Sequence, residues 1–152
     1  MPIKKILWPT DLSGRAQAAL PYVTSLTERY TAEIHILFVI EDLTAHRWYG
    51  EFKSDHVDKI LDWEKKTAEK RLSQICNNHL SGCPLYIRHV AVGDPAREIL
   101  KLAQAEQMDM IVMASRGTEG HFAFGSVAEK VVKNATIPVV TIPPHGDPNE
   151  ER

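Results

Sequence analysis

Five short apolar runs punctuate the chain: "IKKILW" at 3–8, "AEIHILFVI" at 32–40, "LYIRHVAV" at 85–92, "MDMIVMA" at 108–114 and "PVVTI" at 138–142. Each has strand length, and several are rich in Val and Ile, whose branched side chains suit a covered, pleated surface. Between these runs the period changes. In 13–30, Ala16, Ala19, Leu20, Val23, Leu26 and Tyr30 fall on one helical stripe, and in 54–80 Val57, Ile60, Leu61, Ala68, Leu72, Ile75 and Cys76 do the same. A third helix carries its own start signal, because Asp94 is placed to cap free N–H groups while Pro95 at the first helical position forfeits no hydrogen bond. Its buried side is Ile99, Leu102 and Ala103. A fourth begins near Ser126, carries Val127, Val131 and Val132, and is stopped by "NATIP".

Strand and helix alternate without hairpin signals, which predicts an α/β layer structure with a mainly parallel sheet covered on both faces. Coverage on both faces also explains why "MIVMA" is continuously apolar rather than alternating. Residues 41–55 have no clear period and read either as a flap packed by its aromatics or as a mobile stretch. The charge-rich stretch 62–71, "DWEKKTAEKR", reads as the solvated face of the second helix.

With 152 residues the chain has room for one substantial core, so a single domain over 1–143 with a flexible tail at 144–152 is expected. A hydrophobic share of 43%, a charged share of 25% and a net charge of -2 argue against a polyanionic partner such as nucleic acid. No window approaches the roughly 18 apolar residues of a membrane span, and the apolar start is broken by "WPTD" before it resembles a signal peptide. A cytoplasmic protein with Cys76 and Cys83 reduced is the expectation. The seven histidines show neither i,i+4 nor C-x2-C spacing, so no metal site is expected.

In an open parallel sheet ligands lie beyond the carboxyl ends of the strands, where the direction of winding switches. Three ends carry polar chemistry: "WPTDLS", "FVIEDL" and "VMASRG". After the last of these, Gly117 and Gly120 allow close backbone approach, and Gly125-Ser126 opens a helix whose first N–H groups bear partial positive charge. Arg116 adds a fixed cation by charge alone. Such a loop suits a phosphate chain, yet "GHFAFGSV" has Ser126 where a P-loop needs Lys, and no G-x-G-x-x-G follows the first strand. Simpler roles stand beside these: Asp11 with Ser13 as a helix cap, Ser126 as the N-cap of the last helix, and the loop glycines as shapers of a turn.

Taken together, "KKILWPTDLS", "HILFVIED", "VGDPAREIL", "MDMIVMASRG" and "FGSVAEKVV…IPVVTIP" resemble the universal stress protein family, in order and over nearly the whole chain. The resemblance implies a Rossmann-like, doubly wound five-stranded parallel sheet of order 3-2-1-4-5 with helices on both faces. It also implies a homodimer joined through the last strand, Pro138 to Pro143, and a nucleotide-responsive stress regulator binding ATP or AMP, with Mg2+ accompanying ATP. The family motif G-x2-G-x9-G-[ST] is met here by Ala114, Gly117 and Gly125-Ser126 as A-x2-G-x7-G-S. Ala replaces the first Gly, a change costing about 1 kcal/mol or more where that position needs positive φ, and the loop is two residues shorter. By the same resemblance Asp11 would hold the ribose hydroxyls and the backbone of Val39 would read the adenine edge. Pro9, Thr10 and Met113 would line base and sugar, while Gly117, Gly125, Ser126 and Val127 would face phosphates.

Two other functions fit the residues. A nucleotide-free, dimeric interaction module with an unknown protein partner would use Phe122 and Phe124 to fill the shortened loop. A slow ATPase would need a positioned base for water. Glu119 and Glu129 lie near the loop, but Glu129 is also placed to pair with Lys133 at i+4, so no catalytic residue is named.

Overall fold

A computed structural model describes residues 2–12, 16–41, 54–80, 86–115 and 125–143. The apolar runs become strands β1 (Lys5–Pro9), β2 (Glu33–Ile40), β3 (Tyr86–Val92), β4 (Met110–Ala114) and β5 (Val139–Ile142). The segments of helical period become α1 (Leu20–Tyr30), α2 (Ser54–His79), α3 (Pro95–Ala105) and α4 (Ser126–Asn134). The sheet order is β3-β2-β1-β4-β5, and every adjacent pair is parallel. Winding therefore reverses between β1 and β4, as the doubly wound reading requires.

The two-residue alternation of each strand divides the core in two. Ile6, Trp8, Ile34, Ile36 and Val112 face α1 and α2 and pack with Leu20, Val23, Leu72 and Ile75. Leu7, Leu37, Ile111 and Met113 face the other way and pack with Ile99, Ala103, Ala128 and Val131 of α3 and α4. Both clusters are almost fully removed from water, which is why the strands read as unbroken apolar runs.

Helix boundaries follow local chemistry. In the described part of the 13–30 stripe a 3-10 turn over Ala16–Ala19 leads into α1 at Leu20, and the helix ends where Thr31 takes a left-handed conformation and its N–H bonds to the Thr27 carbonyl. At α3, the Asp94 carboxylate accepts from the Arg97 N–H at 3.0 Å, the cap expected from the Asp-Pro pair. Gly93 just before it has φ +153, and a Cβ there would come 2.8 Å from Glu98 Oε1. Only glycine fits that turn without strain.

Among the stripe residues whose burial is described, three are exposed rather than buried: Tyr30, Ile60 and Val132. α2 has 26 residues and spans roughly 39 Å, against roughly 26 Å for β2, so part of it extends past the sheet, and Ile60 near its start is exposed. Tyr30 closes α1 at its last turn. Val132 follows the buried Val131 and points about 100° away from it.

Candidate functional site

The carboxyl end of the sheet takes its shape from where β1 stops. Its last register pair with β2 is Pro9 with Leu37, followed by one bond from the Thr10 N–H to the Leu37 carbonyl at 2.9 Å. The Thr10 hydroxyl then accepts from the Leu12 N–H at 3.1 Å, and Leu12 turns out of the strand with φ +64. A left-handed non-glycine residue costs on the order of 1–3 kcal/mol, so the surroundings must hold it. They do so twice: the Leu12 side chain is buried, and its carbonyl accepts from the Arg71 guanidinium of α2 at 3.4 Å.

This early exit has a consequence for β2. In a parallel strand the N–H and C=O of one residue point to the same side, and alternate residues point to opposite sides. Leu37 bonds toward β1 and Ile40 toward β3, where its carbonyl accepts from the Gly93 N–H at 2.9 Å. Val39 therefore points its donor and acceptor toward the β1 side, one step past the last β1–β2 bond. Among the described residues no partner meets them.

A second opening lies across the switch point. The Ser115 N–H bonds to the Ile142 carbonyl at 2.8 Å and the Gly125 N–H bonds to the Ser115 carbonyl at 2.6 Å, so the chain leaves β4 and re-enters at α4 from one pinned place. Gly125 is the N-cap of α4 and carries no side-chain cap, and the first bond within the helix runs from the Glu129 N–H to the Gly125 carbonyl at 2.9 Å. The N–H groups of Ser126, Val127 and Ala128 precede it and point out of the helix with partial positive charge. Ser126 is thus the first helical residue and exposed, and the alternative that made it the N-cap is replaced by Gly125, because the helix turns one residue earlier. Ala114 lies in β4 and is absent from the positive-φ residues Leu12, Thr31 and Gln107, so alanine in place of the motif glycine brings no backbone strain there.

Between these strand ends and α2 lies a cavity of about 260 Å³. Leu12, Phe38, Ile40 and Ala68 give it an apolar floor, Val39 also lines it, and Glu41, Trp63, Glu64, Thr67 and Arg71 give it a polar and aromatic wall. Among the described residues, Glu64 Oε2 is buried with no hydrogen-bond partner. The 62–71 stretch is therefore more than a solvated face. Glu64, Thr67, Ala68 and Arg71 recur at i, i+3, i+4 and i+7, a spacing that marks one side of a helix and was the available signal.

The site residues read from the sequence divide as follows. Pro9, Thr10 and Asp11 stand at the end of β1, Val39 at the end of β2, Met113 and Ala114 at the end of β4, and Gly125, Ser126 and Val127 at the start of α4. Thr10 and Met113 are buried, and Met113 and Val39 direct their side chains into the α3–α4 cluster, so any contact by Val39 is through its backbone. Asp11 is exposed. Arg116, Gly117, Glu119, Gly120, Phe122 and Phe124 lie outside the described residues, as do Cys83 and the tail 144–152. Glu129 makes the expected pair with Lys133 at 2.7 Å, which keeps its carboxyl below the usual range.

One polar cluster had no signature in the linear sequence. His35 Nδ1 and His89 Nε2 meet at 2.9 Å across β2 and β3, their rings are stacked, and His35 Nε2 lies 3.0 Å from Glu33 Oε1. Burial, then the His35 charge, push His89 below the ordinary imidazole value, against a smaller pull from Glu106. Cys76 is a buried free thiol pushed upward by desolvation, with Arg88 opposing, which makes it unreactive. Among the described residues no helix is long and apolar enough to cross a membrane.

The universal stress protein family model matches residues 2–143. The chain belongs to that family. Universal stress protein YxiE of Bacillus subtilis (strain 168) is 30% identical to it over 144 residues, covering 91% of this chain and 97% of that one. Universal stress protein MJ0577 of Methanocaldococcus jannaschii has a solved structure that superposes with a TM-score of 0.77 at 29% identity, covering 97% of this chain and 100% of the other. The universal stress protein from Archaeoglobus fulgidus in complex with dAMP shares the fold at a TM-score of 0.64 and 20% identity, covering 93% and 99%.

Proposed function

We propose that this universal stress protein binds an adenine nucleotide, ATP or AMP, across the carboxyl ends of β1, β2 and β4, and acts as a nucleotide-responsive regulator. The observation that carries this reading is the Val39 peptide pair, which offers one donor and one acceptor side by side past the last β1–β2 bond. The Watson–Crick edge of adenine presents the complementary pair, a ring nitrogen acceptor beside an amino donor. From Val39, the sugar would fall toward Asp11 and the phosphates toward the start of α4, where Ser126 and Val127 offer N–H groups while the Gly125 N–H is engaged on the Ser115 carbonyl. A nucleotide complex in a protein of the same fold, the dAMP-bound one from Archaeoglobus fulgidus, accords with this.

Dimerisation belongs to the same reading. β5 ends the sheet order, and a strand at an edge offers an unpaired row of backbone groups to a second copy. Nucleotide would act as a regulator by favouring the dimer state to which it binds better, and it can shift that balance only by the difference in affinity.

The test is direct. Freshly purified protein is denatured in acid and the supernatant analysed by chromatography and mass spectrometry, and AMP and ATP are titrated calorimetrically into the native protein and into Asp11→Ala. Released or titratable adenine nucleotide, weakened about tenfold in the variant, is the expected result. No released nucleotide together with no heat at millimolar ligand overturns the reading and leaves the interaction module in its place.

A further inference from the structure

By the two-residue alternation of β2, His35 shares its face with Leu37, the face that α3 and α4 cover. His89 takes the same face of β3, where it is half-buried and Ile87 beside it is 40% exposed. β3 is an edge strand, paired only with β2. Among the described residues, the bond between His35 Nδ1 and His89 Nε2, 2.9 Å long, is the one side-chain hydrogen bond that joins the two strands.

The direction of that bond follows from its neighbour. Glu33 Oε1 lies 3.0 Å from His35 Nε2, and a carboxylate oxygen only accepts, so His35 Nε2 carries the N–H and the neutral ring leaves Nδ1 as an acceptor. His89 Nε2 must then donate. One further proton fits this chain, on His89 Nδ1, with both bonds kept. A second sets an N–H on each of the two facing nitrogens and a positive charge on each ring, so the bond becomes a repulsion.

The surroundings do little to offset two charges. His35 is 2% exposed, and its own strand gives it Glu33. From β1, Lys5 stands opposite Glu33 and adds a positive charge, its Nζ donating to the Glu106 carbonyl at 3.0 Å. From α3, the Glu106 carboxylate favours a charged His89 by less than burial and His35 oppose it, and Arg97 and Lys101 are exposed. α1 and α2 pack on the other face, where Arg88 of β3 donates to Ser73 Oγ.

We propose that the His35–His89 pair is an acid-released latch on the edge of the sheet: it holds β3 to β2 while the two rings share at most one added proton, and a second proton parts them and frees Tyr86–Val90. The latch controls the outer edge of β2, which β3 alone covers and which becomes a row of open donors and acceptors once β3 leaves.

The test uses the full chain at pH 7 and pH 5, as wild type and as His89→Gln, whose amide donates to His35 and does not titrate. Amide exchange, corrected for the intrinsic effect of pH, and the 15N coupling across the N–H···N bond are read by NMR. In the wild type the coupling should be present at pH 7 and absent at pH 5, and protection at Tyr86–Val90 should fall at least tenfold, to at least tenfold below that of Ile6–Trp8 in β1. In His89→Gln the fall should be less than twofold. An unchanged wild type, or an equal fall in both proteins, overturns the latch. So does equal protection of β3 and β1 at pH 5, which would mean opening of the whole molecule rather than of its edge. Coupling that survives the loss of protection overturns it as well, and this arm needs no variant, so it decides even if His89→Gln does not fold.

Discussion

α3 and α4 pack side by side on one face of the sheet, and both begin at the carboxyl end of a strand, yet their first turns are built in opposite ways. α3 is closed: the Asp94 carboxylate accepts from the Arg97 N–H, Pro95 removes one donor, and Glu98 adds a second negative charge in the first turn. α4 is open: Gly125 has no side chain to cap with, and the backbone donors that follow have no partner inside the helix. A helix N-terminus attracts anions whatever its sequence. The difference teaches that the protein satisfies this attraction internally at α3, whereas at α4, among the described residues, no side chain does so, and α4 adjoins the switch point of the sheet.

The contrast is tested by making each start resemble the other. The largest effect expected is on the closed side. Gly93→Ala forces φ +153 on a residue with a Cβ and drives that atom against Glu98, so stability should fall by about 2 kcal/mol in denaturant melts with nucleotide affinity unchanged. Next comes Gly125→Asp, which gives α4 the cap that α3 has. The φ of -70 and ψ of 152 at Gly125 accept Asp, so stability should hold or rise by a few tenths of a kcal/mol, while the new carboxylate should weaken AMP at least tenfold in calorimetry, about 1.4 kcal/mol. Opposite signs in the two measurements separate an anion site from a mere helix start.

Opening the closed start should do less. Asp94→Ala is expected to cost about 1 kcal/mol of stability and to leave affinity for AMP within twofold. The smallest effect concerns the ground beneath the β2–β3 half of the sheet. His89 is held below its ordinary value of 6.5, so the folded chain binds fewer protons there than the unfolded one. That stability is present above the ordinary value and is lost as pH falls through the depressed one. The melting temperature should therefore drop between pH 7 and pH 5, and His89→Gln should flatten that slope.

Much of the fold was legible from pattern, because strand and helix periods are local and each apolar run matched a strand within two residues. The Asp94-Pro95 start was legible for the same reason, as a cap acts over three residues. What could not be read depends on partners far away in sequence. The pairing of His35 with His89 spans 54 residues and exists only through the β2–β3 register. Glu64 and Arg71 looked like solvated charges until α2 was laid against the end of β2, where their helical spacing turns one side into a cavity wall.

Period and caps thus determined, from residues alone, the class of fold and the places where its strands end and its helices begin. Tertiary structure alone decided that β1 would leave the sheet at Leu12 and uncover Val39, and that Ala114 would sit in a strand conformation where glycine is not needed. It also decided that Glu64 and Arg71 of α2 would line a cavity beside the end of β2. The physical reason is that propensity and capping are energies of neighbouring residues, whereas an unpaired donor, an unpartnered carboxylate and a left-handed turn are defined by what the rest of the chain brings, or fails to bring, within hydrogen-bond distance.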